Sequence, residues 1–214
     1  MPSTTPASLK INIISDTVCP FCYLGYARLL QALKTLDSPA ASISWQAYHL
    51  NPHASTQSEP AMDILVRKFG DENRVRMVQD RIKTMGQELG LNFSFEGRMG
   101  HTRDSHRVIQ LAKQKNVENE VMSEIMKMYF EEGGDITSAE DLTRAAVQGG
   151  LDKEETRTWL SEGKGAAEVD REVEDAYERG VRGVPHFVIN DKWEINGAQD
   201  LSVFVDTLKK AQSS

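Results

Sequence analysis

The chain has 214 residues, 39% of them hydrophobic and 27% charged, with a formal net charge of −7. Those totals suffice for a folded core and exclude wholesale disorder, and an acidic balance without a basic run excludes a nucleic-acid groove binder. No uninterrupted apolar run approaches the about 20 residues a membrane-spanning helix needs, and the first residues lack the apolar stretch of a secretory signal, so with Met1 as the start the expected location is the cytoplasm, with no membrane partner.

Residues 1–8, rich in Ser, Thr and Pro, read as a loose tail. The β-branched run Ile11, Ile13, Ile14 predicts a buried strand that ends at Ser15-Asp16-Thr17. Cys19-Pro20-Phe21-Cys22 comes next, and Leu24, Ala27, Leu30 and Leu33 continue it at helical spacing. Pro20 stands where a first-turn proline belongs, because the N–H it lacks would be unpaired there anyway. Cys19 then falls at or near the N-cap. Ile43, Trp45 and Ala47 alternate with polar neighbours as a second strand, and residues 51–60 form a loop by composition.

Residues 62–163 carry helical periodicity and no strand. Helices are expected over 62–69 and 75–89, then a glycine-containing loop over 92–100. Val108, Ile109, Leu111 and Ala112 mark a third helix and residues 121–130 a fourth. Thr137 and Glu140 have capping-box spacing before Leu142, Ala145 and Ala146, and Gly149-Gly150 ends that helix. Asp152 and Glu155 repeat the pattern before Trp159 and Leu160. Residues 166–179 form an amphipathic helix with Val169, Val173, Ala176 and Tyr177 inward and Gly180 at its end. Pro185 precedes a strand over residues 186–189, Asn190-Asp191 turns the chain, and residues 193–195 return as a hairpin. Leu201, Phe204, Val205 and Leu208 mark the last helix. The order β-α-β, helices, α-β-β-α predicts an α/β chain: a thioredoxin-like unit made of residues 9–61 and 164–214, interrupted by an all-helical insertion over residues 62–163.

Only two cysteines exist, three positions apart. A disulfide closing so short a loop restrains the unfolded chain little, so the pair is explained by chemistry rather than by stapling. The attacking species is the thiolate, and a helix N-terminus stabilises it through unpaired N–H groups and the dipole. Cys19 has that position and reads as the nucleophile. Cys22, one turn later, reads as the thiol that resolves the mixed disulfide. Pro20 and Phe21 keep the turn rigid and apolar. As half of a zinc site the pair would need about two more ligands; His49 and His53 are the nearest spare ones and no second cysteine pair exists, so no metal is expected. Two buried, inert cysteines would be the remaining alternative. Further on, Gly183-Val184-Pro185 opens a strand with proline, a position that sheets tolerate only at an edge or at the first residue.

The segments Asp16-Thr17-Val18-Cys19-Pro20-Phe21-Cys22-Tyr23-Leu24-Gly25, His101-Thr102-Arg103-Asp104-Ser105-His106-Arg107, and Gly180 to Pro185 with Ile195-Asn196-Gly197-Ala198-Gln199 carry a resemblance. The chain resembles the DsbA-like branch of the thioredoxin superfamily, most closely the FrnE-like proteins, over nearly its whole length. The resemblance implies a thioredoxin fold with a helical insertion, dithiol–disulfide activity, Cys19 as nucleophile, Cys22 as its partner and Pro185 as a cis-proline that sets the Val184 backbone beside the cysteines, where it can pair with an extended substrate. Two positions depart from the pattern: His101 stands where the family usually has Asn, and His186 follows the proline where Thr or Phe is usual.

Several residues read two ways. His186 either stabilises a thiolate or, by strand alternation, points away from it. His106 either lines a substrate cleft or is a hydrogen-bonded residue on a helix face. Asp16 either accepts a thiol proton or caps a turn. Met122, Met126 and Met128 form either an adaptable peptide surface or plain core.

The expected function is an enzyme: a protein or small-thiol disulfide oxidoreductase or isomerase. Its substrate would be a disulfide-containing protein or small thiol held by Pro20, Phe21, Val184, Pro185 and His186. No tightly bound cofactor is expected, and glutathione is a candidate co-substrate. The alternative is a glutathione-dependent isomerase or transferase related to 2-hydroxychromene-2-carboxylate isomerase and the kappa-class glutathione transferases, which place Ser where Cys19 stands and have no need of Cys22. A third reading is a redox sensor without turnover. Related proteins often form homodimers, and no feature of the sequence decides the matter.

Overall fold

The computed structural model describes residues 9–36 and 41–213, so the tail read over residues 1–8 lies outside the described residues. Strand β1 (Leu9–Ser15) leads into helix α1 (Pro20–Thr35), whose N-cap is Cys19 and whose first residue is Pro20. Strand β2 (Ala41–Ala47) then runs parallel to β1. After the helical stretch, helix α8 (Ala166–Glu178) returns the chain to the sheet. β5 (His186–Ile189) and β6 (Trp193–Asn196) complete it in the order β2-β1-β5-β6, with β5 antiparallel to both its neighbours. Helix α9 (Leu201–Gln212) closes the described chain. This is the DsbA-like thioredoxin fold with inserted helices.

The two faces of the sheet have different coverings. Ile11, Ile13, Phe187 and Ile189 belong to one apolar cluster with Leu24 and Leu29 of α1 and Phe204 and Leu208 of α9. Ile14 lies in a second cluster, with Tyr48, Ala176 and Val181, on the α8 side. The strand alternation follows directly, because residues adjacent in a strand point to opposite faces. The hairpin turns on Asn190 and Asp191, both with positive φ (52° and 54°), a conformation these two side chains tolerate.

Between β2 and α8 lie α2 (Ala61–Phe69), α3 (Glu72–Gln87), α4 (Arg103–Lys115), α5 (Glu118–Phe130), α6 (Ala139–Gln148) and α7 (Lys153–Ser161). The stretch is not free of strands. β3 (Glu59–Pro60) pairs antiparallel with β4 (Arg98–Met99), so β4 falls within the segment expected to be helix and loop. A two-residue ladder carries no alternation from which it could be read. The capping box also shifts by one residue. Ser138, not Thr137, caps α6 by accepting the Asp141 N–H, while Thr137 bonds Asp135. Asp152 caps α7 through the Glu155 N–H, at the expected spacing. Met122, Met126 and Met128 are all buried and belong to the core.

The helices also deal with the free edge of β2. Glu118 and Glu172 accept the N–H groups of Trp45 and Ala47, and Asn119 donates to the Ile43 carbonyl. Outward backbone groups that would template another strand are thus occupied by side chains of α5 and α8.

Arg107 ties α4 to the end of α7. Its guanidinium is buried and donates to the carbonyls of Trp159, Leu160 and Lys164 at 2.7–2.9 Å, and the Trp159 indole N–H returns a bond to the Arg107 carbonyl at 2.8 Å. Two of those carbonyls belong to the last turn of a helix, where intrahelical partners run out. Lysine has the charge but not the fork. Arg107→Lys is therefore expected to lower stability by about 1–3 kcal/mol, read as a fall in the thermal midpoint; an unchanged midpoint would show that the clamp is dispensable. Among the described residues no helix is long and apolar enough to cross a membrane.

Candidate active site

Cys19 holds the N-cap of α1 in extended geometry (φ −93°, ψ 110°). Its N–H donates to the Asp16 carbonyl at 3.0 Å, and its carbonyl accepts the Cys22 N–H at 3.0 Å. The first turn of α1 contains no acidic residue, so nothing there cancels the positive end of the helix dipole. Both cysteines are free thiols. Cys19 is 4% exposed and Cys22 is fully covered. Burial, and then contact with the Cys19 sulfur, push the Cys22 thiol well above the ordinary thiol range, against the smaller opposing effects of the Ser15 hydroxyl and the Asp16 backbone. The pair is therefore unequal: one sulfur lies at the helix end near the surface, and the other is a shielded thiol behind it.

The segment before β5 completes the site. The Val184–Pro185 peptide bond is cis, and the Cys19 thiol donates to the Val184 carbonyl at 3.6 Å. Gly25 permits this approach, since a Cβ there would lie 3.0 Å from both Pro185 and Phe187. Phe21, between the cysteines, is 42% exposed and offers an apolar surface beside them. The structure therefore brings together Cys19, Cys22, Pro20, Phe21, Val184 and Pro185.

It does not bring His186 to the cysteines. His186 pairs in register with Ile14 on the α8 face, while its neighbour Phe187 faces α1. Its ring bonds Asn196 and lies 3.6 Å from the Glu194 carboxylate. There it borders a 520 Å³ groove with Arg179, Arg182, Val184 and Gly197. The alternation of β5 is the physical reason that it leaves the cysteine face.

The residues read as spare ligands or helix-face groups belong elsewhere. His53 is exposed, and His49 turns inward, its ring 4.7 Å from His101 and 5.7 Å from His106. Among the described residues no three His, Cys, Asp or Glu side chains converge to hold a metal. His106 does not line an open cleft, and its Nε2 has no hydrogen-bond partner. It is 2% exposed, with Nε2 3.6 Å from Asp16 Oδ1. Ser105, in the second of the segments that carry the resemblance, is a site neighbour that no local pattern marks. Its hydroxyl meets that of Thr17 at 2.7 Å and ties the cysteine turn to α4.

Burial raises the Asp16 carboxyl, but the His106 contact, the Leu50 N–H and the Thr102 hydroxyl outweigh it and hold Asp16 below its ordinary value. Burial, followed by the charge of His106, lowers His49 to about 4 from an ordinary 6.5, with Asp16 opposing. Between those two values the unfolded chain takes up a proton at His49 that the folded chain refuses, so stability falls as the pH drops through this window. The depressed Asp16 adds a further loss only below its ordinary 3.8, as it is protonated. A thermal midpoint that declines from pH 6.5 to 4 in the parent and is flatter in His49→Gln is the expected result; parallel curves would remove His49 from the account.

Residues 10–209 match the DSBA-like thioredoxin domain family. The chain belongs to that family. It is 29% identical to the uncharacterized protein YwbO of Bacillus subtilis over 209 residues, covering 96% of this chain and 98% of that protein. The crystal structure of a probable DsbA oxidoreductase from Streptomyces coelicolor superposes with a TM-score of 0.87 at 28% identity, covering 96% of this chain and 91% of that one. The cytosolic disulfide reductase DsbM of Pseudomonas aeruginosa, solved with GSH, shares the fold with a TM-score of 0.63 at 14% identity, covering 95% and 96%.

Proposed function

We propose that the chain is a thiol–disulfide oxidoreductase in which Cys19 attacks and Cys22 resolves. The observation that carries this reading is the asymmetry of the pair: Cys19 caps α1 with its sulfur against the Val184 carbonyl, and Cys22 is buried one turn behind it. In the reducing direction the Cys19 thiolate attacks one sulfur of a substrate disulfide. A Cys19–substrate disulfide forms, and the other substrate sulfur leaves as a thiolate and takes a proton from water. Cys22 then loses its proton and attacks the Cys19 sulfur, expelling the second substrate thiol. Substrate is reduced by two electrons, and the cysteines are left as a disulfide. Two molecules of a small thiol such as glutathione return the pair to the dithiol, and glutathione is our choice of co-substrate in a cytoplasmic setting. The groove on the far side of Val184 carries Arg179 and Arg182, positive charge that suits a carboxylate, together with one carboxylate of its own, Glu194.

The test is steady-state reduction of a peptide–glutathione mixed disulfide with glutathione as the reductant. Turnover that disappears in Cys19→Ser supports the reading. Equal rates in the parent and Cys19→Ser would remove Cys19 from the chemistry.

A further inference from the structure

The sheet has two outer strands, and they are finished differently. At β2 the outward backbone groups are taken by Glu118, Asn119 and Glu172. Which groups of β6 face outward follows from the ladder. The Asn190 N–H donates to the Lys10 carbonyl, and the Gly197 N–H donates to the Pro185 carbonyl. Hydrogen bonding alternates from residue to residue along an antiparallel strand. His186 and Val188 therefore bond β1, while Phe187 and Ile189 bond Ile195 and Trp193 of β6. The N–H and C=O groups of Glu194 and Asn196 are left pointing away from β5. Among the described residues only the Asn196 carbonyl of these has a partner, the Gln199 amide at 2.6 Å, and a carbonyl keeps a second lone pair. Glu194 and Asn196 are both exposed. An edge in this state is a template for one more strand.

We propose that the free edge of β6 joins two copies of this chain, antiparallel about a two-fold axis through Ile195. In that register Glu194 stands opposite the partner's Asn196 and exchanges both backbone bonds with it, and the symmetry repeats the pair. Side chains directly opposite share a face. Asn196 Oδ1 is held by the His186 ring, so Nδ2 is the group that Asn196 presents to the partner's Glu194 carboxylate. Other registers are poorer. A slip by one residue brings Ile195, whose backbone already bonds β5, opposite the outward groups. A shift toward the hairpin sets Glu194 against the partner's Glu194, a destabilising pair of like charges. A shift the other way runs past the end of β6 at Asn196. Growth stops at two, because the remaining outer strand of each four-stranded sheet is β2, whose edge is already covered.

The contact reaches the groove that contains Arg182 and His186. Glu194 and Asn196 border that groove, and the partner's Asn196 and Glu194 would stand on the same face one strand spacing further out, about 4.8 Å. The second copy thus adds a wall to it. A rival contact face fails on charge. Met77 and Val78 are exposed on the outer side of α3, but Arg74 and Arg81 flank them at helical spacing, so that face cannot pair with itself without setting arginine against arginine.

Sedimentation of the full reduced chain, at loadings up to roughly 0.5 mM, decides the matter. The parent is expected to reach twice the 24.0 kDa of one chain and go no further. Glu194→Pro removes an N–H that β5 does not use, and edge strands tolerate proline at such a position. It is expected to keep the parent's circular dichroism and to sediment as a monomer throughout. Asn196→Asp sets a carboxylate against the partner's Glu194 at two symmetric places and is expected to weaken the dimer roughly tenfold. Glu194→Gln keeps the hydrogen bond and is expected to change the dimer less than about threefold. A parent that stays monomeric at the highest loading, one that assembles beyond two, a Glu194→Pro dimer as tight as the parent's, or a Glu194→Gln dimer tightened beyond that limit would each overturn the proposal. If Glu194→Pro does not fold, Asn196→Asp decides alone: a weaker dimer supports the contact and an unchanged one sinks it. These readings are masses rather than turnover, so they stand or fall separately from the oxidoreductase reading.

Discussion

Cys22→Ser is expected to capture substrate and fail to release it. With the resolving thiol gone, Cys19 still attacks, and the mixed disulfide has no internal route onward. With a protein disulfide as substrate and no external thiol present, intact mass should show the protein carrying one substrate moiety, and only added glutathione should release it. Cys19→Ser should carry no adduct, because Cys22 is fully covered and its thiol is held well above the ordinary range. No adduct on Cys22→Ser without external thiol would contradict the dithiol mechanism and favour a glutathione-dependent isomerase, whose chemistry needs a single activating group.

Phe187→Ala is expected to be among the most damaging substitutions outside the cysteines. The ring is fully buried, packs edge-on against Phe204 with centroids 5.0 Å apart, and closes over Gly25 of α1. Removing a buried phenylalanine costs about 3–5 kcal/mol, which for a chain of this size lowers the thermal midpoint by roughly 10 °C. The loss also falls on the site, because Phe187 and Pro185 pack on the same glycine, and Val184 presents its carbonyl to Cys19 from that segment. Activity at a temperature where the variant is still folded should therefore decline too. Val203→Ala on the exposed side of α9 is the control, with a change within about 0.5 kcal/mol. Similar midpoints in both variants would mean that α1, α9 and β5 do not depend on this contact.

Local signals in the chain are strong enough to place much of this fold. Pro20 at the first helical position located the α1 terminus and put Cys19 at its cap, and Asn190-Asp191 announced the hairpin because few residues tolerate two successive positive φ angles. The features that the sequence does not reveal are non-local. The pairing of Glu59–Pro60 with Arg98–Met99 involves two residues on each side, too few for a period. The face taken by His186 follows from alternation only once Phe187 is known to meet Gly25, a contact between residues far apart in the chain. Asp16 and His106 meet across the joint between the β1–α1 turn and α4, and neither residue's neighbours in sequence reveal the other. Ser138 rather than Thr137 at the α6 cap shows the usual limit of boundary reading, where adjacent hydroxyl residues are equivalent until the backbone chooses between them.

The most direct test of the central claim is to equilibrate the parent protein over a series of glutathione redox buffers, trap free thiols, and weigh the intact protein. The account predicts a reversible loss of two hydrogens' mass with both cysteines protected from the trap together, a peptide linking Cys19 to Cys22, and none of this in Cys22→Ser. A protein that gives only a single glutathione adduct, or that stays a dithiol at every buffer ratio, would contradict it.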